Sequence, residues 1–312
     1  MLLLAWMLAL PTFFLVLPIS SAVAVVEEEK EGSRQIIKRT LLWMETKEIA
    51  PNVSMPVMSI GTGGQEHGNA KQIVSNWLTV GGRAIDTALN YGNQDQVRQA
   101  IQESATELTR DDVFITTKIP DCNVTNVAQY IQQDLQLLGT TYVDLLLIHG
   151  PRRGDCVETW KYLEHAYLND KTARAIGVSN FRTADLEPLL QHGTVVPHVN
   201  QIQLNLLHKD VDTIRYCDQH GIVVEAYSPL GRAGTRGDLA HNKVIQGIAQ
   251  AHGNVTIYQV ALKWILQHGW ILTFQSSSRQ HQEVDADVFH FTLSDEEMKR
   301  LDALSSSDSV GV

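Results

Sequence analysis

The chain has 312 residues, 44% of them apolar, which suits one large globular domain with extensions. Its 35 acidic residues outnumber 25 basic ones and the bases form no cluster, which excludes nucleic acid as an expected partner. Three cysteines without a CxxC pair, and histidines without paired ligand spacing, give no reason to expect a metal site.

Residues 1–24 carry no Asp, Glu, Lys or Arg. The apolar run MLLLAWMLALPTFFLVL gives way to Pro18 and small residues, and Ala22 and Ala24 have the spacing of a signal-peptidase site. That reading implies the secretory pathway, as a protein of the endoplasmic reticulum lumen or a secreted one. No positive charge precedes the run and its length nears that of a membrane span, so a retained signal anchor is the rival reading. A bipartite plastid-targeting segment is a third. Residues 25–54 hold a charge run from Glu27 to Arg39, read as a solvated linker, and an alternation around Pro51 that reads as a hairpin.

Residues 55–304 divide into eight strand-then-helix units, leaving 305–312 as a short tail. The predicted strands are Val57–Gly61, Ala84–Asp86, Val113–Lys118, Val143–His149, Ala175–Ser179, Val199–Leu204, Val223–Ser228 and Trp270–Phe274. They are short and nearly continuous in apolar residues, as parallel strands buried on both faces are. Between them, Val127, Ile131, Leu135 and Leu138 step at helical spacing, as do Trp160, Leu163 and Tyr167. The pattern predicts an α/β fold, a (β/α)8 barrel.

Three of these strands end on ionisable residues. AIDTALNYGN places Asp86 at a strand end and Tyr91 five residues on; VFITTK ends in Lys118 and VDLLLIH in His149. Each residue alone has a bland explanation: a helix cap, a rim aromatic, a solvated charge. In a parallel barrel all four would meet at one mouth. A Tyr protonates a carbonyl oxygen if a neighbouring Lys cation brings its pKa down from roughly 10, with an Asp holding the ammonium and a His donating to the oxygen. The set suits reduction of a C=O group.

These residues resemble the aldo-keto reductase family. GVSNF (Gly177–Phe181), VNQIQLN (Val199–Asn205), EAYSPLG (Glu225–Gly231) and FHFTLSDEEMKRLDAL (Phe289–Leu304) follow in the family's order. The resemblance implies Asp86, Tyr91, Lys118 and His149 as a catalytic tetrad with Tyr91 as the acid. It implies Ser179, Asn180 and Gln201 on the carboxamide of a nicotinamide cofactor and Tyr227 stacked on the nicotinamide. The backbone around Ser228 to Gly231, Leu230 included, would face the pyrophosphate. The family also tends to close its barrel bottom with a hairpin.

The adenosine end departs from the family. After the last strand the family usually has a Lys, then an Arg six residues on, then Glu and Asn; here those positions are Gln275, His281, Val284 and Asp285. Ser276 remains, and Arg279 is a displaced cation that could reach a phosphate. Loss of two charge-assisted donors, worth roughly 1.5–3 kcal/mol each, weakens preference for a 2′-phosphate. NADP(H) is the expected cofactor by resemblance, with NAD(H) as the alternative. Gly63 and Gly150 stand where the family often has Trp, predicting a wider, wetter pocket. Arg152 and Arg153 follow, either as solvated charges or as an anion site.

Cys122 and Cys156 fall on neighbouring mouth loops and could pair or stay as two thiols, whereas Cys217 reads as a buried thiol. Sequons at Asn52, Asn123 and Asn254 accompany the leader. Two other functions compete: a non-catalytic or regulatory barrel with a weak nicotinamide site, and a glycosidase, which needs a second carboxylate beside Asp86.

Overall fold

The computed structural model describes residues 45–64, 69–104, 108–232, 236–253 and 255–305. The leader, the charge run, the Asn254 sequon and residues 306–312 lie outside the described residues. The first described element is an antiparallel hairpin, β1 (Thr46–Ala50) and β2 (Val53–Pro56), whose turn holds Asn52 in the left-handed region at φ 61°. Asn tolerates that conformation better than most residues do.

Eight parallel strands then close a barrel: β3 (Met58–Gly61), β4 (Ala84–Asp86), β5 (Phe114–Ile119), β6 (Val143–Ile148), β7 (Ala173–Ser179), β8 (Val199–Gln203), β9 (Val223–Tyr227) and β10 (Ile271–Phe274). Every predicted strand is present with its ends within two residues of those expected. The chain crosses over through α1 (Ala70–Thr79), α2 (Gln94–Glu103), α3 (Val127–Leu138), α4 (Cys156–His165), α5 (Thr183–His192) and α6 (Val211–Gln219). Between β9 and β10 run α7 (Arg236–His241), α8 (Lys243–Ala251) and α9 (Ile257–Gln267), and after β10 come α10 (Arg279–Ala286) and α11 (Asp295–Asp302).

The apolar stripes explain the layering. Val127 and Leu138 of α3 are buried and Ile131 and Leu135 pack beside them; Trp160 and Leu163 of α4 are fully buried. That second stripe continues to Tyr167 through a π-helical turn, Ala166–Asp170, which ends α4. Inside the barrel, Ile49, Ala50, Val53 and Met55 of the hairpin join Ala84, Phe114, Leu145, Ala175, Val199 and Ile271 in a second core. Most of these partners sit near the start of their strands, so the hairpin covers the N-terminal end of the barrel.

Asp144 shows how a charge is tolerated within an apolar strand. Its carboxylate, 2% exposed, accepts from Arg110 and Arg174 at 2.8 Å each and from the Ile115 amide at 2.8 Å. Such a buried acid needs partners on both oxygens. At the opposite end a Cys122–Cys156 disulfide joins the loop after β5 to the first residue of α4. The Cys122 amide donates to the Arg152 carbonyl at 2.8 Å, and a Cβ on Gly154 (φ 109°) would stand 2.3 Å from the Cys122 carbonyl. Only glycine permits that approach. Cys217 is a buried thiol whose pKa burial pushes up to about 11.

Candidate active site

Parallel strands put all their C-terminal ends on one side, so the side chains that end them share one mouth. Asp86 closes β4, Lys118 stands next to last in β5 and His149 directly follows β6. Tyr91 ends a short 3-10 turn, Leu89–Tyr91, and Gly92 in the left-handed region reverses the chain after it. The structure brings all four together. The Lys118 ammonium is completely buried and donates to both Asp86 oxygens, at 2.8 and 2.7 Å, and to the Thr87 carbonyl at 3.0 Å. It lies 5.3 Å from the centre of the Tyr91 ring. The His149 ring meets Tyr91 edge-on, with centroids 5.6 Å apart.

Electrostatics correct one expectation from the sequence. Lys118 was expected to bring the Tyr91 phenol below its ordinary pKa. Burial raises it by more than the Lys118 cation lowers it, so the net shift is upward. The phenol is therefore fully protonated at neutral pH. Burial also acts on Lys118, pushing its pKa down, but its contacts with the acidic groups around it, Asp86 first, outweigh that and the net shift is upward, so the ammonium stays charged. His149 is held neutral: burial, Lys118 and Arg152 together drive its pKa down to about 3.

The contact of His149 Nδ1 with Asn90 Oδ1, 2.9 Å, decides which ring nitrogen carries the proton. With Asn90 accepting, Nδ1 is the donor and Nε2 is bare. With the Asn90 amide turned over, its NH2 donates to Nδ1 and the proton moves to Nε2. Only the second tautomer donates to a carbonyl oxygen from Nε2.

Beneath the tetrad lies a group the sequence reading did not single out. Gln201 donates to Asp86 at 2.8 Å and to Glu225 at 3.0 Å, and Glu225 is wholly buried inside the barrel. Burial, with Asp86 nearby, pushes the Glu225 carboxyl up to about 8, so it is largely neutral at pH 7. An acid within the apolar run VVEAYS, of the same strand parity as Tyr227, was the available signal.

A cleft of about 960 Å³ runs from this mouth across the ends of the strands. Asp86, Tyr91, His149, Ser179, Asn180, Gln201, Tyr227, Ser228, Leu230, Gln275 and Ser276 all line it. Lys118 is buried behind Asp86 instead of lining it. Asn180, at φ 62°, donates to the His149 carbonyl at 2.9 Å and accepts from the Tyr227 hydroxyl at 2.7 Å. Arg232, another residue missed from the sequence, lines the cleft and donates to the same hydroxyl at 3.0 Å. It directly follows EAYSPLG, which was the clue.

Residues 57–306 match the Aldo/keto reductase family. The chain belongs to that family. It is thus an NAD(P)H-dependent oxidoreductase. Glyoxal reductase of Bacillus subtilis is 37% identical over 271 residues, spanning 86% of this chain and 95% of that protein. Morphine 6-dehydrogenase of Pseudomonas putida is 34% identical over 272 residues, spanning 83% and 90%. The crystal structure of a Bombyx mori aldo-keto reductase in complex with NADP superposes with a TM-score of 0.78 at 28% identity, covering 84% of this chain and 93% of that one.

Three local features of this aldo/keto reductase shape the cleft. A Cβ on Gly63 would lie 2.6 Å from Cζ of Tyr91, so the phenol ring rests against bare backbone there. At the adenosine end, Gln275 folds back and donates to the Gly63 carbonyl. Arg279 is not among the residues that line the cleft. Ser278 caps α10, which makes Arg279 its first residue and leaves it exposed, while His281 lines the cleft two positions on.

Proposed function

We propose that this protein reduces an aldehyde or ketone to an alcohol, with Tyr91 as general acid assisted by Lys118, Asp86 and His149. The observation that carries the reading is the buried Lys118–Asp86 pair set directly behind the phenol. The cleft suits a nicotinamide cofactor, since Gln201 spends its amide NH2 on Asp86 and Glu225 and keeps its oxygen for a carboxamide. Ser179 and Asn180 lie beside it, Tyr227 offers a ring face, and the Ser228–Leu230 backbone with Arg232 can receive a pyrophosphate. The cofactor, when bound, supplies a hydride to the carbonyl carbon. Tyr91 gives its proton to the oxygen as that bond forms, and His149 orients the oxygen.

Titration with NADPH and NADH by fluorescence quenching, followed by turnover of a simple aldehyde, tests the reading. Cofactor binding with no turnover of any aldehyde would favour a regulatory barrel. The lack of a Lys or Arg lining the Gln275–His281 segment is the observation behind that rival.

The same segment gives a prediction about the cofactor. Gln275→Lys combined with His281→Arg restores two cations to the adenosine end. Preference for NADPH over NADH is expected to rise by about 10- to 100-fold, one or two charge-assisted contacts. Kd values for both cofactors check it, and an unchanged ratio places the 2′-phosphate elsewhere.

We further propose that the protein travels the secretory pathway as a glycoprotein. The apolar leader, the Cys122–Cys156 disulfide and the exposed Asn52 turn support this. Protein expressed with its leader in a eukaryotic host is expected to shift in mass on endoglycosidase treatment and to show Cys122 linked to Cys156 in a non-reducing peptide map. Full-length, unglycosylated protein with free thiols would refute it.

A further inference from the structure

We propose that Arg152 makes this enzyme selective for carbonyl compounds carrying an anionic oxygen group, a carboxylate or phosphate, close to the C=O. The inference rests on the reductase reading above and deepens it.

It starts from an absence in the sequence. Position 150, directly after His149, is a glycine. The space its side chain would fill is taken by a guanidinium: a Cβ there would lie 3.1 Å from Arg152 Nε and 3.3 Å from Nη2. A flat cation thus stands in the wall of the mouth beside the tetrad histidine, lining the cleft with Tyr91 and His149. Its influence on that ring is direct, since it is one of the charges that hold His149 neutral.

The backbone that carries Arg152 is fixed. Its amide donates to the Gly150 carbonyl at 2.8 Å and its carbonyl accepts from the Cys122 amide at 2.8 Å. The turn that follows, Arg153 at φ 53° and Gly154 at φ 109°, presses against the Cys122 carbonyl and leads into the disulfide. Ordering this loop costs little when substrate arrives, because it is already tied down.

The guanidinium is also uncommitted. Among the described residues no carboxylate lies within ion-pairing distance of it, and the one carboxylate lining the cleft, Asp86, is paired with Lys118. Arg presents a planar fork of donors that matches carboxylate or phosphate oxygens two at a time. The chain as a whole has a net charge of −10, so a cationic mouth runs against the body of the molecule. Arg153 does not line the cleft and remains a loop charge.

The test compares kcat/KM within matched pairs: glyoxylate against methyl glyoxylate, succinate semialdehyde against its methyl ester, and glyceraldehyde 3-phosphate against glyceraldehyde. The wild-type protein is expected to prefer the charged member, and the pair that shows the larger preference distinguishes carboxylate from phosphate. In Arg152→Gln the charged-to-neutral ratio is expected to fall by about 10- to 100-fold, mainly through KM. Arg152→Lys recovers part of it. Using a ratio cancels any effect of the substitution on His149, which both members share. Should Arg152→Gln fail to fold, the wild-type protein across ionic strength reads the charge directly: turnover of the anion falls with salt and turnover of the neutral partner does not. A ratio unchanged by Arg152→Gln, or no wild-type preference for any charged member, overturns the proposal. Failure of the wild-type protein to reduce either member of every pair overturns the reductase reading itself, and this inference with it.

Discussion

Tyr91→Phe is expected to lower kcat for aldehyde reduction by about 10²- to 10⁴-fold, the usual contribution of a positioned general acid, and to leave cofactor affinity nearly unchanged. The substitution deletes one oxygen and keeps the ring. That ring carries the packing: it stands against Gly63 and edge-on to His149. The residues suited to the nicotinamide lie on β7, β8 and the end of β9, whereas the phenol is carried by the turn after β4. Fluorescence titration and single-turnover kinetics on the same preparation separate the two effects. Because burial raises the phenol's pKa, the proton stays on Tyr91 through neutral pH and is lost only above its ordinary value near 10. The wild-type rate is therefore expected to hold into mildly alkaline solution and to fall where the phenol ionises. Reduction that survives in Tyr91→Phe would assign the acid to another group.

Lys118→Met is expected to remove activity and to cost about 3–5 kcal/mol of stability, the penalty for leaving a buried charge without its partner. Asp86 is 3% exposed and both its oxygens face the ammonium, with Gln201 still donating to it if Lys118 is lost. Lys118→Met with Asp86→Asn, which removes both charges, is expected to recover much of the stability and none of the activity. Urea unfolding of the wild-type protein and the two variants checks this. A single variant as stable as the wild type at pH 8 would show that the pair contributes nothing to holding the barrel together.

The barrel was legible because its strands are near-continuous apolar runs, and a run of that kind fixes its own ends to within a residue or two. The tetrad was legible for a related reason: each member interrupts or terminates such a run, so topology alone gathers them. What escaped depended on side-chain direction and on the competition between burial and charge. Spacing shows that Lys118 neighbours Tyr91, but the sign of the phenol's shift follows from how much water the folded mouth excludes. Glu225 sits within an apolar run, and its inward-facing position becomes evident only once the barrel closes around it. Asn90 reads in the sequence as a loop residue, and only the fold shows that it holds His149. The direction of Arg279 depends on where Ser278 starts the helix, since a shift of two residues on a helix turns a side chain most of the way to the opposite face.

Among the described residues, the hairpin of β1 and β2 packs across the starts of the strands and the cleft opens at their opposite ends. Whatever comes in to react has to back out the same way, past whatever entered after it. Traffic of that kind imposes a queue: the deeper guest is first in and last out. The pace of the whole cycle can then be set by departures, however fast the bonds themselves are made and broken.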